Sequence, residues 1–305
     1  MAIPEWASRW GSVIVRSGDY SVSSGNLPAS VRARLLNLAK QRGEDLDLVL
    51  KRFGIERLLY RLSESSHKGS FILKGAMLFE LWMGQAHRTT KDLDLLGSGT
   101  TDIPRLEAVF RDLCVLPVEA DGLEFLPESV KGSEIREDNL YQGVRVTLLA
   151  RLGAARIGLQ VDIGFGDAVF PAPEEVEYPS LLGFPCPRLR AYSQATVVAE
   201  KFQAMVELGL VNSRLKDYYD VWTILNRFEI PQDTLREAIH TTFQRRQTPL
   251  PTRIPEGLSV AFAVDHQKQT QWKAFLRKRG ADPSMELEQV VHDLAEAMGR
   301  ILKIH

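Results

Sequence analysis
A chain of 305 residues, 44% hydrophobic and 25% charged, is long enough to bury a full core as one large domain or two modest ones. Its net charge of −1 excludes a uniformly basic or acidic protein, and its two cysteines, Cys114 and Cys186, stand far apart with no His or Cys at ligand spacing, which excludes a zinc site or disulfide scaffold and fits a reducing compartment. The N-terminus lacks the apolar core of a signal peptide and no apolar run is long enough to span a bilayer, so a cytoplasmic protein with no membrane partner is expected.

Residues 1–26 read as an irregular lead-in rich in Ser and Gly. Helices follow, one from Pro28 to Gly43 around Leu35, Leu36, Leu38 and Ala39, the next around Leu46, Val49, Leu50 and Phe53, continuing to Leu58, Leu59 and Leu62. This stretch is basic: Arg32, Arg34, Lys40, Arg42, Lys51, Arg52, Arg57 and Arg61 stand against four acids between residues 31 and 61. A second basic run spans Lys268, Lys273, Arg277, Lys278 and Arg279. Either run reads as a solvated helix face or as a surface for a polyanion. In the second, Trp272 and Phe275 at helical spacing are either base-stacking platforms or core residues.

Phe71-Ile72-Leu73 reads as a short strand, Gly75 to Trp82 as a helix, and Asp92 to Leu96 as an alternating strand. Asp102 caps a helix with Pro104 in its first turn. Two alternating strands follow, one with Val144, Val146 and Leu148, the other with Ile157, Leu159, Val161 and Ile163. Residues 164–190, rich in Gly and Pro, read as a connector, and from about residue 193 the pattern is helical. The expected organisation is a lead-in at 1–26, a mixed α/β core at 27–190 and a helical domain at 191–305, an α+β fold.

The chemistry concentrates on acids. Asp92 and Asp94, two apart on a strand, point to one side while Leu93 and Leu95 face a core. Two close carboxylates repel unless a cation joins them. Mg2+ supplies that charge and accepts oxygen ligands together with substrate phosphates. Asp162, between the apolar Val161 and Ile163, faces away from its own buried set. If the two strands adjoin, the three carboxylates can hold two Mg2+ ions, one activating an attacking hydroxyl and the other stabilising a leaving pyrophosphate.

Lys74-Gly75-Ala76 follows a strand and opens a helix. It is a plain turn or a phosphate approach, with glycine admitting the phosphate to the backbone. Arg88, in the segment between that helix and Asp92, is the best cation there for a triphosphate. On the later helices, Lys201 and Asp217 are either a phosphate-contacting pair or an interhelical salt bridge, with Asp220 near the edge of the same side.

In this order, Phe71-Ile72-Leu73-Lys74-Gly75-Ala76-Met77-Leu78-Phe79, Arg88-Thr89-Thr90-Lys91-Asp92-Leu93-Asp94-Leu95, Val161-Asp162-Ile163-Gly164-Phe165-Gly166-Asp167, Val198-Ala199-Glu200-Lys201-Phe202 and Arg214-Leu215-Lys216-Asp217-Tyr218-Tyr219-Asp220 resemble the AbiEii/AbiGii family of nucleotidyltransferase toxins, MenT proteins among them. The resembling stretch runs from about Leu27 to Pro251. The resemblance implies a polymerase-β-like core with a mixed sheet and a helical C-terminal domain. It also implies Mg2+, a nucleoside triphosphate, a cognate antitoxin, and transfer of a nucleotide to an acceptor such as the tRNA 3′ end. It makes Asp92 and Asp94 the metal-binding pair, Lys201 the phosphate-contacting lysine, and Asp217 the later essential acid, with Asp220 as its competitor. Gly75-Ala76 departs from the Gly-Ser or Gly-Gly of related enzymes. Ala76 offers no hydroxyl to a phosphate, only its backbone amide.

Overall fold
The structure, a computed structural model, describes residues 27–84, 91–137, 141–279 and 282–304. Arg88 and the lead-in lie outside the described residues. The first two helices are α1 (Leu27–Arg42) and α2 (Leu46–Glu64). The Asp45 carboxylate caps α2, accepting the amides of Asp47 at 2.8 Å and Leu48 at 3.3 Å. From Arg52 to Leu59 every residue of α2 is buried, because the helix lies between the sheet and the rest of the chain. Gly54 meets Leu159 of the sheet so closely that a Cβ there would stand 3.0 Å from its side chain.

That burial changes the meaning of the basic run. Arg52, Arg57 and Arg61 are interior, not solvated and not a binding face. Arg52 bonds Glu44 and Glu80, each at 2.7 Å. Arg57 pairs with Glu56 at 3.4 Å and donates to the Pro185 carbonyl at 2.6 Å. Arg61 pairs with Asp121 at 2.7 Å. Burial pushes the Glu56 carboxyl up and the Arg57 guanidinium down from their ordinary values. Arg61→Ala should leave Asp121, 2% exposed, without its cation and cost about 3–5 kcal/mol. Chemical denaturation of the variant checks this, and a loss under about 1 kcal/mol contradicts the pairing as a structural element.

Among the described residues a seven-stranded sheet runs in the order β3-β4-β5-β2-β1-β7-β6. Its strands are β1 (Phe71–Lys74), β2 (Leu93–Gly97), β3 (Glu124–Glu137), β4 (Tyr141–Leu152), β5 (Ala155–Phe165), β6 (Glu174–Glu177) and β7 (Arg188–Ala191). The β2–β5 and β1–β7 pairs are parallel and the others antiparallel, a mixed sheet. One face buries Leu73, Leu93, Leu95, Val161, Ile163 and Val146 under α1, α2 and α4 (Ile103–Val115). Helix α3 (Met77–Met83) follows β1. The fold is therefore α+β, as the pattern predicts. One segment carried no expectation and one differs from it. The acidic stretch after residue 123 is β3, and the Pro-rich connector contributes β6 and β7 to the sheet edge.

The C-terminal part is helical: α5 (Gln194–Leu208), α6 (Leu215–Arg227), α7 (Gln232–Arg245), α8 (Val260–Ala263), α9 (His266–Arg279) and α10 (Leu287–Leu302). Trp272 of α9 is 1% exposed and donates its indole N–H to the Met285 carbonyl at 2.7 Å. It is a core residue and offers no stacking platform. No helix among the described residues is long and apolar enough to cross a membrane.

Candidate active site
The registers of four strands align one residue from each. Lys74 of β1 opposes Asp94 of β2, Asp94 opposes Asp162 of β5, and Asp162 opposes Arg145 of β4. Cross-strand partners share a face. Their neighbours Leu73, Leu95, Val161, Ile163, Val144 and Val146 are buried on the opposite side. The open face thus carries a row reading cation, carboxylate, carboxylate, cation. Asp162 lies beside Asp94 as expected, and Asp92 sits just before β2, half-buried.

Gly75 closes this row. Its φ is +76°, in the left-handed region that favours glycine. A Cβ there would lie 2.0 Å from Asp94 Oδ2 and 2.6 Å from its Cγ. The Asp94 carboxylate therefore folds directly over a bare backbone. Ala76, buried at 6% exposure, turns the chain into α3. Gly75→Ala combines strain with a collision and should cost about 2–4 kcal/mol. Thermal unfolding beside a transfer assay reads both effects, and a variant equal to wild type in stability contradicts this packing.

Lys74 is committed. Its ammonium lies 3.1 Å from Asp167 Oδ2 and 3.1 Å from Glu200 Oε2. Tyr192 donates its hydroxyl to Glu200 at 2.9 Å, and Arg246 pairs with Asp167 at 2.9 Å. Burial opposes the Lys74 charge, yet Glu200, Tyr192 and Asp167 hold its pKa well above the ordinary value. Burial also opposes the Asp167 charge, and Lys74 and Arg246 bring that carboxyl below its ordinary value. Lys74 thus anchors the Gly75 turn to α5 through Glu200.

Burial first, and the charge of Asp162 second, push the Asp92 carboxyl up, against Arg145, Lys51 and Lys216. A cavity of about 340 Å³ adjoins it, lined in part by Lys51, Lys91, Asp92, Thr147 and Gln160. Asp162 is held in a fork: Arg145 Nε reaches Oδ1 and Nη2 reaches Oδ2, both at 2.8 Å, and Gln160 Nε2 reaches Oδ2 at 3.3 Å. Among the described residues no three His, Cys, Asp or Glu side chains form a group that could hold a metal ion. The Arg145 guanidinium meets both oxygens of Asp162, the third of the carboxylates expected to share metal. Asp92 and Asp94 are an all-oxygen pair suited to a hard divalent cation. The bare Gly75 backbone leaves Asp94 room beside it.

On the helical side, Lys201 of α5 pairs with Asp217 and, at 3.0 Å, with Asp220. Arg214 Nε adds a contact to Asp217 at 2.8 Å. The interhelical salt bridge is present, and it engages both acids. Asp217 and Asp220 are 1% and 0% exposed. Burial works against the Asp217 charge, but Lys201 and Arg214 bring its pKa below the ordinary value. The residues just before this pair reach the sheet row. Glu200 binds Lys74, and Lys216 acts on Asp92. Sequence reasoning missed Arg145, Asp167, Tyr192 and Arg246. For Arg145 alone a signal existed, its place opposite the apolar set of an alternating strand.

The family model described as "Nucleotidyl transferase AbiEii toxin, Type IV TA system" matches residues 57–298. No curated protein matches the sequence. Among solved structures, that of JHP933 from Helicobacter pylori is 14% identical, with 81% of this chain and 88% of that chain covered at a TM-score of 0.44. That of an antigenic nucleotidyltransferase-like protein from Paracoccidioides brasiliensis is 14% identical, with 90% and 93% covered at a TM-score of 0.31.

Proposed function
The chain belongs to the AbiEii nucleotidyltransferase toxin family, and from that premise we propose that it moves a nucleoside monophosphate from an NTP to the 3′ end of tRNA on the sheet face bearing Asp92 and Asp94. Membership makes it a nucleotidyltransferase of a type IV toxin–antitoxin system and implies an NTP substrate and an antitoxin partner. The observation that carries the site assignment is the row of Lys74, Asp94, Asp162 and Arg145 in mutual register, with Asp94 folded over Gly75.

In this reading Asp92 and Asp94 hold the divalent cation, Mg2+ by the chemistry of the donors. When bound, that ion neutralises charge on the triphosphate and polarises the reacting phosphorus. Gly75 and the backbone of Ala76 let the phosphates approach closely. Lys74 fixes that turn through Asp167 and Glu200. Lys201, oriented by Asp217 and Asp220, contacts the phosphates, and the sequence reading assigns Arg88, outside the described residues, to the same role. The acceptor oxygen forms a bond to the α-phosphorus as the α–β bridge breaks. Pyrophosphate departs and the acceptor proton passes to solvent. The work is positioning and charge neutralisation.

The choice of tRNA rests on the family resemblance and on basic side chains that stay exposed. These are Arg32, Arg34, Lys40 and Arg42 on α1, and Lys273, Arg277 and Lys278 on α9, suited to a phosphate backbone. Expression of wild type and Asp92→Ala in a bacterial host, followed by sequencing of tRNA 3′ ends, tests it. Growth arrest with extended 3′ ends, both absent in Asp92→Ala, is expected. Arrest by the wild type with unaltered tRNA ends removes tRNA as the acceptor.

A further inference from the structure
Four charged side chains close a square where the sheet meets the helices. Lys74 ends β1, Asp167 lies just past β5, Glu200 is on α5 and Arg246 caps the end of α7. Cation and carboxylate alternate around it: Lys74 to Asp167 at 3.1 Å, Asp167 to Arg246 at 2.9 Å, Arg246 to Glu200 at 3.8 Å, and Glu200 back to Lys74 at 3.1 Å. The side chains are between 6% and 18% exposed. Arg246 grips both sides of the junction. Its Nε and Nη2 reach Asp167 Oδ1 at 3.2 Å and 2.9 Å, while Nη1 donates to the side chain of Gln203 on α5 at 2.7 Å. The adjacent Arg245 donates to the Gly166 carbonyl, one residue before Asp167.

A buried ion square is a poor source of stability, because desolvating its charges cancels much of their attraction. What it supplies is fixed geometry, since a guanidinium donates in set directions. Its place in the chain gives that geometry a use. Lys74 immediately precedes Gly75, and Glu200 immediately precedes Lys201. The Gly75 turn and Lys201 are the phosphate contacts of the site reading above, and they come from separate parts of the fold. We propose that Arg246 is a positioning residue for nucleotide transfer: by tying Asp167 to α5 it fixes the Gly75 turn relative to Lys201. This rests on that reading and deepens it, adding a residue from the end of α7. Without Arg246, Lys74 faces both buried carboxylates and the charges no longer balance. Lys74 then shifts between them and carries Gly75 with it. A displacement of about 1 Å between aligned groups costs on the order of 100-fold in rate.

Steady-state transfer from a labelled NTP to RNA by the full chain, beside thermal unfolding, tests this. Arg246→Gln should lower kcat by about 10–100-fold with KM for the NTP within about threefold of wild type, the pattern of lost alignment rather than lost binding. Arg246→Lys restores a cation between Asp167 and Glu200 and should turn over faster than Arg246→Gln. Asp167→Asn should fall as Arg246→Gln does, and the two together no further than either alone, as members of one unit. Should Arg246→Gln fail to fold, Asp167→Asn carries the same test. Arg61→Ala breaks a buried pair outside the square and should keep its kcat below its melting temperature. An unchanged kcat in Arg246→Gln or in a folded Asp167→Asn, a change confined to KM, or an equal fall in Arg61→Ala overturns the positioning role. If Asp94→Asn is inactive in the same assay, those results leave the site reading standing. Wild-type activity in Asp94→Asn overturns that reading and this inference with it.

Discussion
Asp94→Asn should lower nucleotide transfer by about 10²–10³-fold while leaving the melting temperature within a few degrees of wild type. The substitution keeps the shape and removes the charge at the centre of the row. An amide presents a neutral oxygen and an N–H where the reading requires an anionic oxygen for a cation. The fold tolerates it, because Asp94 lies on the open face, half-buried, and the core below it is made by Leu93 and Leu95. Asn fills the same space over Gly75, so no strain is introduced at that turn. Single-turnover transfer with a labelled NTP, paired with thermal unfolding, separates the two effects. Activity within about threefold of wild type would move the chemistry away from this face.

Lys201→Ala should act on stability as well as on turnover. It leaves Asp217 and Asp220, 1% and 0% exposed, without the lysine that joins them, while Arg214 still reaches Asp217. Breaking a buried pair from one side costs about 3–5 kcal/mol, a fall in melting temperature on the order of 10 °C. The pH dependence carries a sign. Asp217 has a folded pKa below the ordinary aspartate value of 3.8. Its stabilising contribution is complete above that value and disappears as pH falls toward the folded pKa. Without Lys201 that depression shrinks, so the acid-induced loss should begin at higher pH than in wild type. Adding Asp220→Asn to Lys201→Ala removes one buried charge and should restore part of the stability. A variant as stable as wild type at neutral pH, with an unchanged acid limb, contradicts the assignment of Lys201 as the shared partner of the two acids.

The sequence carried the elements with strong periodicity. β4 and β5 announce themselves by alternation, α4 by its Asp102 cap, and the Asp92/Asp94 pair by its spacing. β3 escaped because Glu124, Glu128 and Glu134 dominate it. It is an edge strand with a bulge between Leu126 and Lys131, and exposed charge suits such an edge. β6 and β7, four residues each, were hidden among the prolines that flank them. Arg52, Arg57 and Arg61 looked like surface charge, because their helix shows its partners only in three dimensions: Asp121 is 60 residues from Arg61. The fork on Asp162 failed to appear for the same reason. It depends on the register of β4 against β5, which no local pattern encodes. What spacing alone could give was that Asp162 would face away from its apolar neighbours, and it does.

One measurement bears most directly on the central claim that this carboxylate face transfers a nucleotide. The purified chain is incubated with RNA and an NTP carrying its label at either the α- or the γ-phosphorus, beside the Asp94→Asn variant. The account predicts α-label joined to RNA by wild type, γ-label appearing only in released pyrophosphate, and neither product from the variant. Transfer of γ-label to the acceptor, or α-label joined equally by Asp94→Asn, would contradict it.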